Sequence, residues 1–109
     1  MQPKGLNCPV ARALKIIGER WTMLIVRDLL IEGRARYQTL MESLDGVSPN
    51  TLSARLKRLE DAGVVNKKMY QDNPPRAEYI LTERGRELGN VVSALYAWGK
   101  SHTEPPGEK

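Results

Sequence analysis

The segment from Ser48 to Gly63 constrains the fold of this chain more than any other part, and its sequence is SPNTLSARLKRLEDAG. Ser48 is a favourable N-cap residue, and Pro49 follows at the first helical position, where its missing N–H removes no helical hydrogen bond. Gly63 is a typical residue just beyond a helix C-terminus. Three leucines recur at the spacing of one helix face, namely Leu52, Leu56 and Leu59. The segment therefore predicts an amphipathic helix over 49–62.

The opposite face of this predicted helix is polar. On a helical wheel, Asn50, Ala54, Lys57 and Asp61 lie opposite the leucines, flanked by Thr51, Ser53 and Arg58, with Arg55 nearer the core edge. Hydrogen-bond donors and small residues on one face suit a helix that enters the DNA major groove. The same composition also fits an ordinary solvated helix face, so this segment alone leaves both interpretations open.

The flanking segments predict a mainly α fold with a small β-hairpin, in the arrangement called a winged helix-turn-helix. A shorter helix from about 36 to 44 and a glycine-containing turn precede the helix, which gives a helix-turn-helix over 36–62. After Gly63 the pattern indicates strands over 64–70 and 76–81, joined by a turn with two prolines. This hairpin, the wing over 64–81, is predicted to carry Arg76 at its tip, where arginine suits phosphates or the minor groove.

The two ends of the chain are predicted to form further helices. Cys8-Pro9 opens a helix that ends at Gly18, and a second helix over Arg20–Ile31 completes an N-terminal helical region over 8–32, with Arg27, Asp28 and Glu32 on its polar side. Thr82 is expected to cap a C-terminal dimerisation helix over 82–99 that Gly99 ends, followed by a flexible tail over 100–109. Surplus apolar surface on these terminal helices predicts a dimer interface formed by Leu88, Val91, Val92, Leu95 and Trp98.

Length and charge agree with one small basic domain. The chain has 109 residues and a net charge of +4, of which the segment 34–76 holds +3, because eight basic residues there face five acidic ones. We read 1–109 as a single domain with a modest electrostatic footprint for nucleic acid. A single cysteine cannot form an intrachain disulfide. Together with the missing signal peptide, the single cysteine predicts a cytoplasmic protein. The longest apolar run, Met23–Val26, is too short to span a membrane.

The sequence contains no residue pattern typical of an enzyme. His102 is the only histidine, and its position in the predicted tail argues against a catalytic triad or a multi-histidine metal site. No glycine-rich phosphate loop is present, and the pairs Glu60-Asp61 and Glu83/Glu87 are best interpreted as surface helix charges. We therefore expect no catalytic site, no cofactor and no metal.

Six short stretches resemble the HxlR-type regulators, a winged-helix family close to the MarR-type regulators. They are Cys8-Pro-Val, Gly18-Glu-Arg-Trp21, Leu52-Ser-Ala-Arg-Leu-Lys-Arg-Leu-Glu-Asp-Ala-Gly63, Pro74-Pro-Arg-Ala-Glu-Tyr79, Leu81-Thr-Glu-Arg-Gly85 and Trp98-Gly99. The resemblance implies a homodimeric transcriptional regulator that binds a near-palindromic double-stranded DNA operator. It departs at Asn50, where a lysine is common in the family. The predicted DNA-binding residues are Ser48, Asn50, Thr51, Ser53, Ala54, Arg55, Lys57, Arg58 and Arg76.

Cys8 is the one residue for which the sequence suggests chemistry. A helix N-terminus favours the thiolate form of a cysteine, and several regulators similar to this chain sense oxidants or electrophiles through a cysteine at this place. Cys8 is therefore a candidate redox sensor, with an inert packed thiol as the alternative. Two further functions remain open: a winged-helix module that binds a protein instead of DNA, and a regulator with a small-molecule pocket near Trp21, Tyr96 or Trp98, whose ligand is unknown.

Overall fold

The computed structural model describes residues 5–107, so residues 1–4 and the last two residues of the predicted tail lie outside it. The described residues form six helices and three strands. Their order is α1 (Pro9–Ile17), α2 (Arg20–Glu32), β1 (Ala35–Arg36), α3 (Tyr37–Ser43), α4 (Pro49–Asp61), β2 (Val65–Asp72), β3 (Pro75–Leu81), α5 (Glu83–Arg86) and α6 (Gly89–His102). Mainly helical structure with a small antiparallel sheet confirms the predicted fold class. No helix in this range is long and apolar enough to cross a membrane.

The ends of α4 lie where the sequence predicts them. The Ser48 hydroxyl accepts a hydrogen bond from the Thr51 backbone N–H at 3.1 Å, and Pro49 occupies the first turn. At the other end, Gly63 has a φ of 75°, a left-handed conformation that glycine adopts without steric cost. The helix is thus limited at both ends by local chemistry, independently of what it packs against.

The hydrophobic core forms around the leucine face of α4. Leu52, Leu56 and Leu59 are at most 1% exposed. Burial of three leucine side chains contributes roughly 1.5–3 kcal/mol each relative to exposure, so this face fixes the rotation of α4 about its own axis. The other core side chains come from α2, α3, the sheet and the segments that join them, and include Ile25, Val26, Leu29, Ala35, Leu40, Leu44, Val47, Val64, Val65, Tyr79 and Leu81.

The sheet has three strands, whereas the sequence predicts a two-stranded hairpin. The strand order is β1-β3-β2, and β1 pairs antiparallel with β3 through Ala35–Tyr79 and Arg36–Glu78. A strand of two residues has no periodicity, so only its pairing with a distant strand reveals it. Ala35 is buried, and the pairing joins the segment before α3 directly to the wing.

Asp28 does not lie on an exposed polar face of α2, which corrects the prediction for this residue. Its side chain is 9% exposed and its carboxylate forms an ion pair with Arg27 at 2.8 Å. The position lies on the side of α2 that faces α3, where Thr39 and Leu40 line the same groove. A buried aspartate that is paired with the adjacent arginine adds nothing to the apolar pattern of the helix, so the sequence pattern could not reveal its burial.

The predicted helix over 82–99 is two helices, and Gly99 does not end the second one. Thr82 caps the short α5, and the Leu88 N–H bonds back to the Gly85 carbonyl in a tight turn that separates α5 from α6. Helix α6 continues through Gly99 to His102, whose ring lies 4.9 Å from that of Trp98 one turn earlier. Residues 100–102 of the predicted flexible tail are therefore helical.

Gly85 permits a close approach between this C-terminal region and the start of the wing. A Cβ at Gly85 would overlap with the backbone carbonyl oxygen of Val64, which also accepts a hydrogen bond from the Thr82 N–H at 3.0 Å. At Gly89, by contrast, a Cβ would make ordinary van der Waals contact with Leu30.

We predict that Gly85→Ala lowers the free energy of unfolding by roughly 1–3 kcal/mol, because backbone atoms cannot move aside as a flexible side chain would. The matched control Gly89→Ala is expected to be neutral or to stabilise by up to about 1 kcal/mol. Urea denaturation monitored by circular dichroism measures both. Equal stability of the two variants would contradict the close contact at Gly85.

Candidate nucleic-acid interface

Helix α4 presents three sectors outside its leucine face, and each has different neighbours. Asn50 and Ala54 are exposed and lie between the two flanks. Ser53 and Lys57 lie on the flank that faces the wing, where they line a groove with β2 and β3. Arg55 and Arg58 lie on the other flank, where they line a groove with the end of α1. The structure therefore divides the predicted DNA-contacting residues between two sides of the helix.

The groove between α4 and the sheet, here called the wing groove, has a volume of about 470 Å³. Three cations, Lys57, Lys67 and Arg76, line it together with one carboxylate, Glu60, so its charge is positive. The remaining lining residues are Tyr37, Ser53, Leu56, Met69, Ala77 and Tyr79. An open, positive groove beside an exposed helix is an arrangement that attracts phosphates.

Lys67 belongs to this groove although it is absent from the predicted site. It pairs across the sheet with Tyr79, which also lines the groove, as does Met69 two residues further along the strand. Side chains two apart on a strand share a face. That alternation was available in the sequence and would have placed Lys67 beside α4 once the hairpin register was known.

Lys57 is accessible to a partner although it has an intramolecular neighbour. Its ammonium lies 3.2 Å from the Asp61 carboxylate one turn along the helix, and the two side chains are 72% and 64% exposed. An exposed pair of this kind contributes little to stability, since water and salt screen it. A phosphate can therefore replace Asp61 as the counter-ion of Lys57 at small cost.

Tyr37 fixes the N-terminal turn of α4, although it is absent from the predicted site. Its hydroxyl donates to the Pro49 carbonyl at 3.0 Å and accepts from the Ser53 hydroxyl at 3.3 Å. The Ser48 hydroxyl, besides capping the helix, donates to the Thr51 hydroxyl at 2.9 Å. Helical spacing gave no sign of this role, because a tyrosine at a core position matches the apolar pattern equally well.

Tyr79 lies at the inner wall of the wing groove and stays neutral there. Burial raises the pKa of its hydroxyl above the ordinary value of 10, and the negative charge of Glu60 and the nearby Tyr37 act in the same direction. A tyrosine with an ordinary pKa is already uncharged at physiological pH, so the raised pKa leaves the charge of the groove unchanged.

The flank of α4 away from the wing contacts the corner between α1 and α2, residues 15–19. The Arg55 guanidinium forms an ion pair with the Glu19 carboxylate, and both side chains are 32% exposed. The Arg58 guanidinium donates to the backbone carbonyl of Lys15 in the last turn of α1. The sequence suggested DNA for both arginines, whereas in this structure each has a protein partner.

The terminal helices carry exposed apolar side chains, but not all of the predicted interface residues are among them. Leu88 and Val92 are half-buried and pack against the core of their own chain. The exposed members of the predicted set are Val91, Leu95 and Trp98, and they are joined on the terminal helices by Val10, Leu14 and Tyr96. Trp21, by contrast, packs against the core, with the Arg20 guanidinium 4.4 Å from its ring.

Cys8 is the N-cap residue of α1, as its sequence position predicts. Its side chain is buried, with an exposed fraction of 8%, and its Sγ accepts from the Ala11 backbone N–H at 3.4 Å. The thiol thus directly satisfies one of the free N–H groups at the start of the helix. Within residues 5–107, no group of three or more His, Cys, Asp or Glu side chains is placed to hold a metal ion.

The sequence comparison identifies a family of regulators. The model of the HxlR-like helix-turn-helix family matches residues 16–106. An uncharacterised HTH-type transcriptional regulator of Synechocystis is 37% identical over 100 residues, which cover 92% of this chain and 73% of the relative.

Solved structures of regulators have the same fold. A MarR-family transcriptional regulator of Porphyromonas gingivalis superposes with a TM-score of 0.84 at 29% identity, covering 94% of this chain and 99% of that one. The redox regulator HypR in its oxidised form superposes with a TM-score of 0.82 at 32% identity, covering 90% of this chain and all of the other.

Proposed function

The chain belongs to the HxlR-like helix-turn-helix family and is a transcriptional regulator, and we propose that it acts by binding double-stranded DNA as a homodimer. The observation that carries this proposal is the wing groove. There Lys57 of α4 lines one groove together with Lys67 and Arg76 of the sheet, and these three cations outnumber the single carboxylate of Glu60. Helix α4 enters the major groove, and the wing follows the adjoining phosphate backbone.

The outward residues of α4, the cations of the wing groove and the residues around the N-terminal turn have different roles in this proposal. Asn50 and Ala54, the most outward residues, face the base edges, and the small Ala54 side chain allows close approach of the backbone. Lys57 and Arg76 bind phosphates from the two sides of the wing groove. Ser48, Thr51 and Ser53 lie around the N-terminal turn, where the helix dipole and hydroxyl groups favour a phosphate.

Dimerisation is supported by the apolar surface of the terminal helices. Leu95, Tyr96 and Trp98 are between 55% and 69% exposed on α6, and Val10 and Leu14 are more than half exposed on α1. Large apolar side chains exposed together mark an interaction surface. A second copy is the partner that also explains DNA recognition, since a two-fold dimer places two α4 helices on successive half-sites.

We predict that the purified, reduced protein enriches a two-fold symmetric motif from a pool of random duplexes. The half-sites are expected about one helical turn, ~34–36 Å, apart or a multiple of it. Sequencing of the bound fraction after successive rounds measures this. No enrichment, together with weak binding that hardly responds to salt, would contradict the proposal and favour a winged-helix module that binds a protein.

For Lys57 we predict a loss of binding that is similar on operator and random duplex. Each phosphate contact contributes about 0.9 to the slope of log K against log salt, so Lys57→Gln is expected to lower that slope by about one. Fluorescence anisotropy over a range of salt concentrations measures the slope. The matched control Lys100→Gln, in the last turn of α6, removes the same charge away from the wing groove and is expected to leave it unchanged.

The outcome for Lys57 also distinguishes phosphate from base contact. A loss of roughly 1–3 kcal/mol confined to certain operator positions would assign Lys57 to a guanine instead. Unchanged affinity in Lys57→Gln, or an equal loss in Lys100→Gln, would contradict the role of the wing groove.

A redox response through Cys8 is a further part of the proposal, and it is supported by the likeness to HypR and by the capping contact of the thiol. A peroxide takes two electrons from the Cys8 thiolate and leaves a sulfenic acid, with release of one oxygen as hydroxide or water. A second thiol, from Cys8 of the other subunit or from a small thiol, then forms the disulfide and releases water. Either product changes the group that caps α1.

We predict that hydrogen peroxide changes the operator affinity of the wild-type protein and leaves that of Cys8→Ser unaltered, because serine retains a capping oxygen but cannot form a disulfide. Anisotropy titrations before and after oxidation, and again after treatment with dithiothreitol, measure the response and its reversal. An equal response in both proteins would remove Cys8 as the sensor.

A further inference from the structure

The ion pair between Glu19 and Arg55 joins the recognition helix to the corner between α1 and α2. Glu19 is the N-cap residue of α2, and one of its carboxylate oxygens accepts from the Trp21 backbone N–H at 2.5 Å. The other oxygen binds the Arg55 guanidinium. One carboxylate therefore performs two tasks at once: it caps α2 and binds α4.

A second contact lies beside the first and joins α4 to the same corner. The Arg58 guanidinium donates to the Lys15 carbonyl, one of the carbonyls in the last turn of α1 that have no partner within the helix. Together the two arginines connect one flank of α4 to both helices of the corner. The opposite flank is connected to α3 through Tyr37 and the Pro49 carbonyl, so α4 is held from two sides.

Arg55 is poorly suited to bind a phosphate. It lies nearest the leucine face among the polar residues of α4, and about two-thirds of its side chain is buried beside Glu19. A phosphate contact would require Arg55 to leave a partner whose position the cap of α2 already fixes. Lys57 has no such restriction, because its one ion-pair partner within residues 5–107 is Asp61 and both side chains are largely exposed.

We propose that Glu19 and Arg55 are positioning residues for DNA recognition: their ion pair sets the angle at which α4 is presented, and Arg55 does not bind DNA. This inference rests on the proposed function. The leucine face fixes the rotation of α4, while the ion pair opposes tilting of the helix away from the corner. Loss of the pair therefore reduces alignment with base edges more than it reduces attraction to phosphates.

The test is a double-mutant cycle of Glu19→Gln, Arg55→Gln and the double variant, with affinities for operator and scrambled duplex measured over a range of salt. Glutamine has a single carbonyl oxygen, so it cannot both cap α2 and accept from Arg55 as the carboxylate does. Each single variant is expected to lose operator affinity on the order of tenfold, and the double variant no more than either single one. Affinity for scrambled duplex and the salt slope are expected to stay as in the wild type.

A direct contact between Arg55 and DNA would give a different set of results. If Arg55 binds a phosphate, Arg55→Gln lowers the salt slope by about one and weakens both duplexes, while Glu19→Gln leaves binding intact or strengthens it. Either observation overturns the inference. Additive losses of operator affinity in the double variant overturn it as well, because two residues that affect recognition through one shared ion pair cannot contribute to it separately.

Hydrogen exchange of the free protein separates this inference from the proposed function. The amides of α4 are expected to exchange faster in all three variants, to the same extent, because the helix is less firmly held. Unchanged exchange overturns the positioning role even if DNA binding is normal. A wild-type protein that binds no duplex overturns the proposed function and, with it, this role in recognition, whatever the exchange data show.

Discussion

Burial of the three leucines of α4 is the interaction on which the rest of the structure depends. Leu52, Leu56 and Leu59 together make the helix amphipathic, and their contact with α2 and the sheet decides which residues face outward. Asn50 and Ala54 are exposed because they lie opposite the leucines. The rotation of α4 about its own axis, and with it the choice of exposed residues, therefore follows from the core, whereas the polar contacts on its two flanks hold the helix against tilting.

Strand β1 connects the helix-turn-helix to the wing more firmly than a two-stranded hairpin alone would. Ala35 and Arg36 extend the sheet along β3, so β3 is paired on one side with β2 and on the other with the segment that enters α3. The helix-turn-helix and the wing therefore share one sheet. Their relative position, and with it the shape of the wing groove, follows from backbone pairing and from buried Tyr79.

The features that the sequence predicted well are those decided by neighbours along the chain. Ser48, Pro49 and Gly63 limit α4 through local hydrogen bonds and backbone conformation, and their positions are visible without a structure. The prediction failed where contacts distant in sequence decide. Strand β1 exists only through its pairing with β3, and Asp28 is buried on the side of α2 that faces α3.

The candidate site was also predicted only in part, again because contacts between residues distant in sequence decide the rest. The wheel of α4 identified its polar face, but it could not show that Arg55 faces Glu19, which lies 36 residues earlier in the chain. Lys67 was missed because its place beside α4 depends on the hairpin register. Gly99 was misread because a glycine that interrupts a helix and one that a helix tolerates have the same local sequence signal.

The separation of the outward face of α4 from its packing face has a consequence for how such a protein diversifies. Asn50 and Ala54 are exposed and belong to no part of the buried core. Substitutions at such positions usually change stability by less than about 0.5 kcal/mol. Under the proposed function, a lineage can therefore acquire new DNA sequence preferences by changing these residues while the fold stays intact. The core, the wing and the terminal helices are then inherited together as a scaffold, and the outward positions of one helix adapt to each new target.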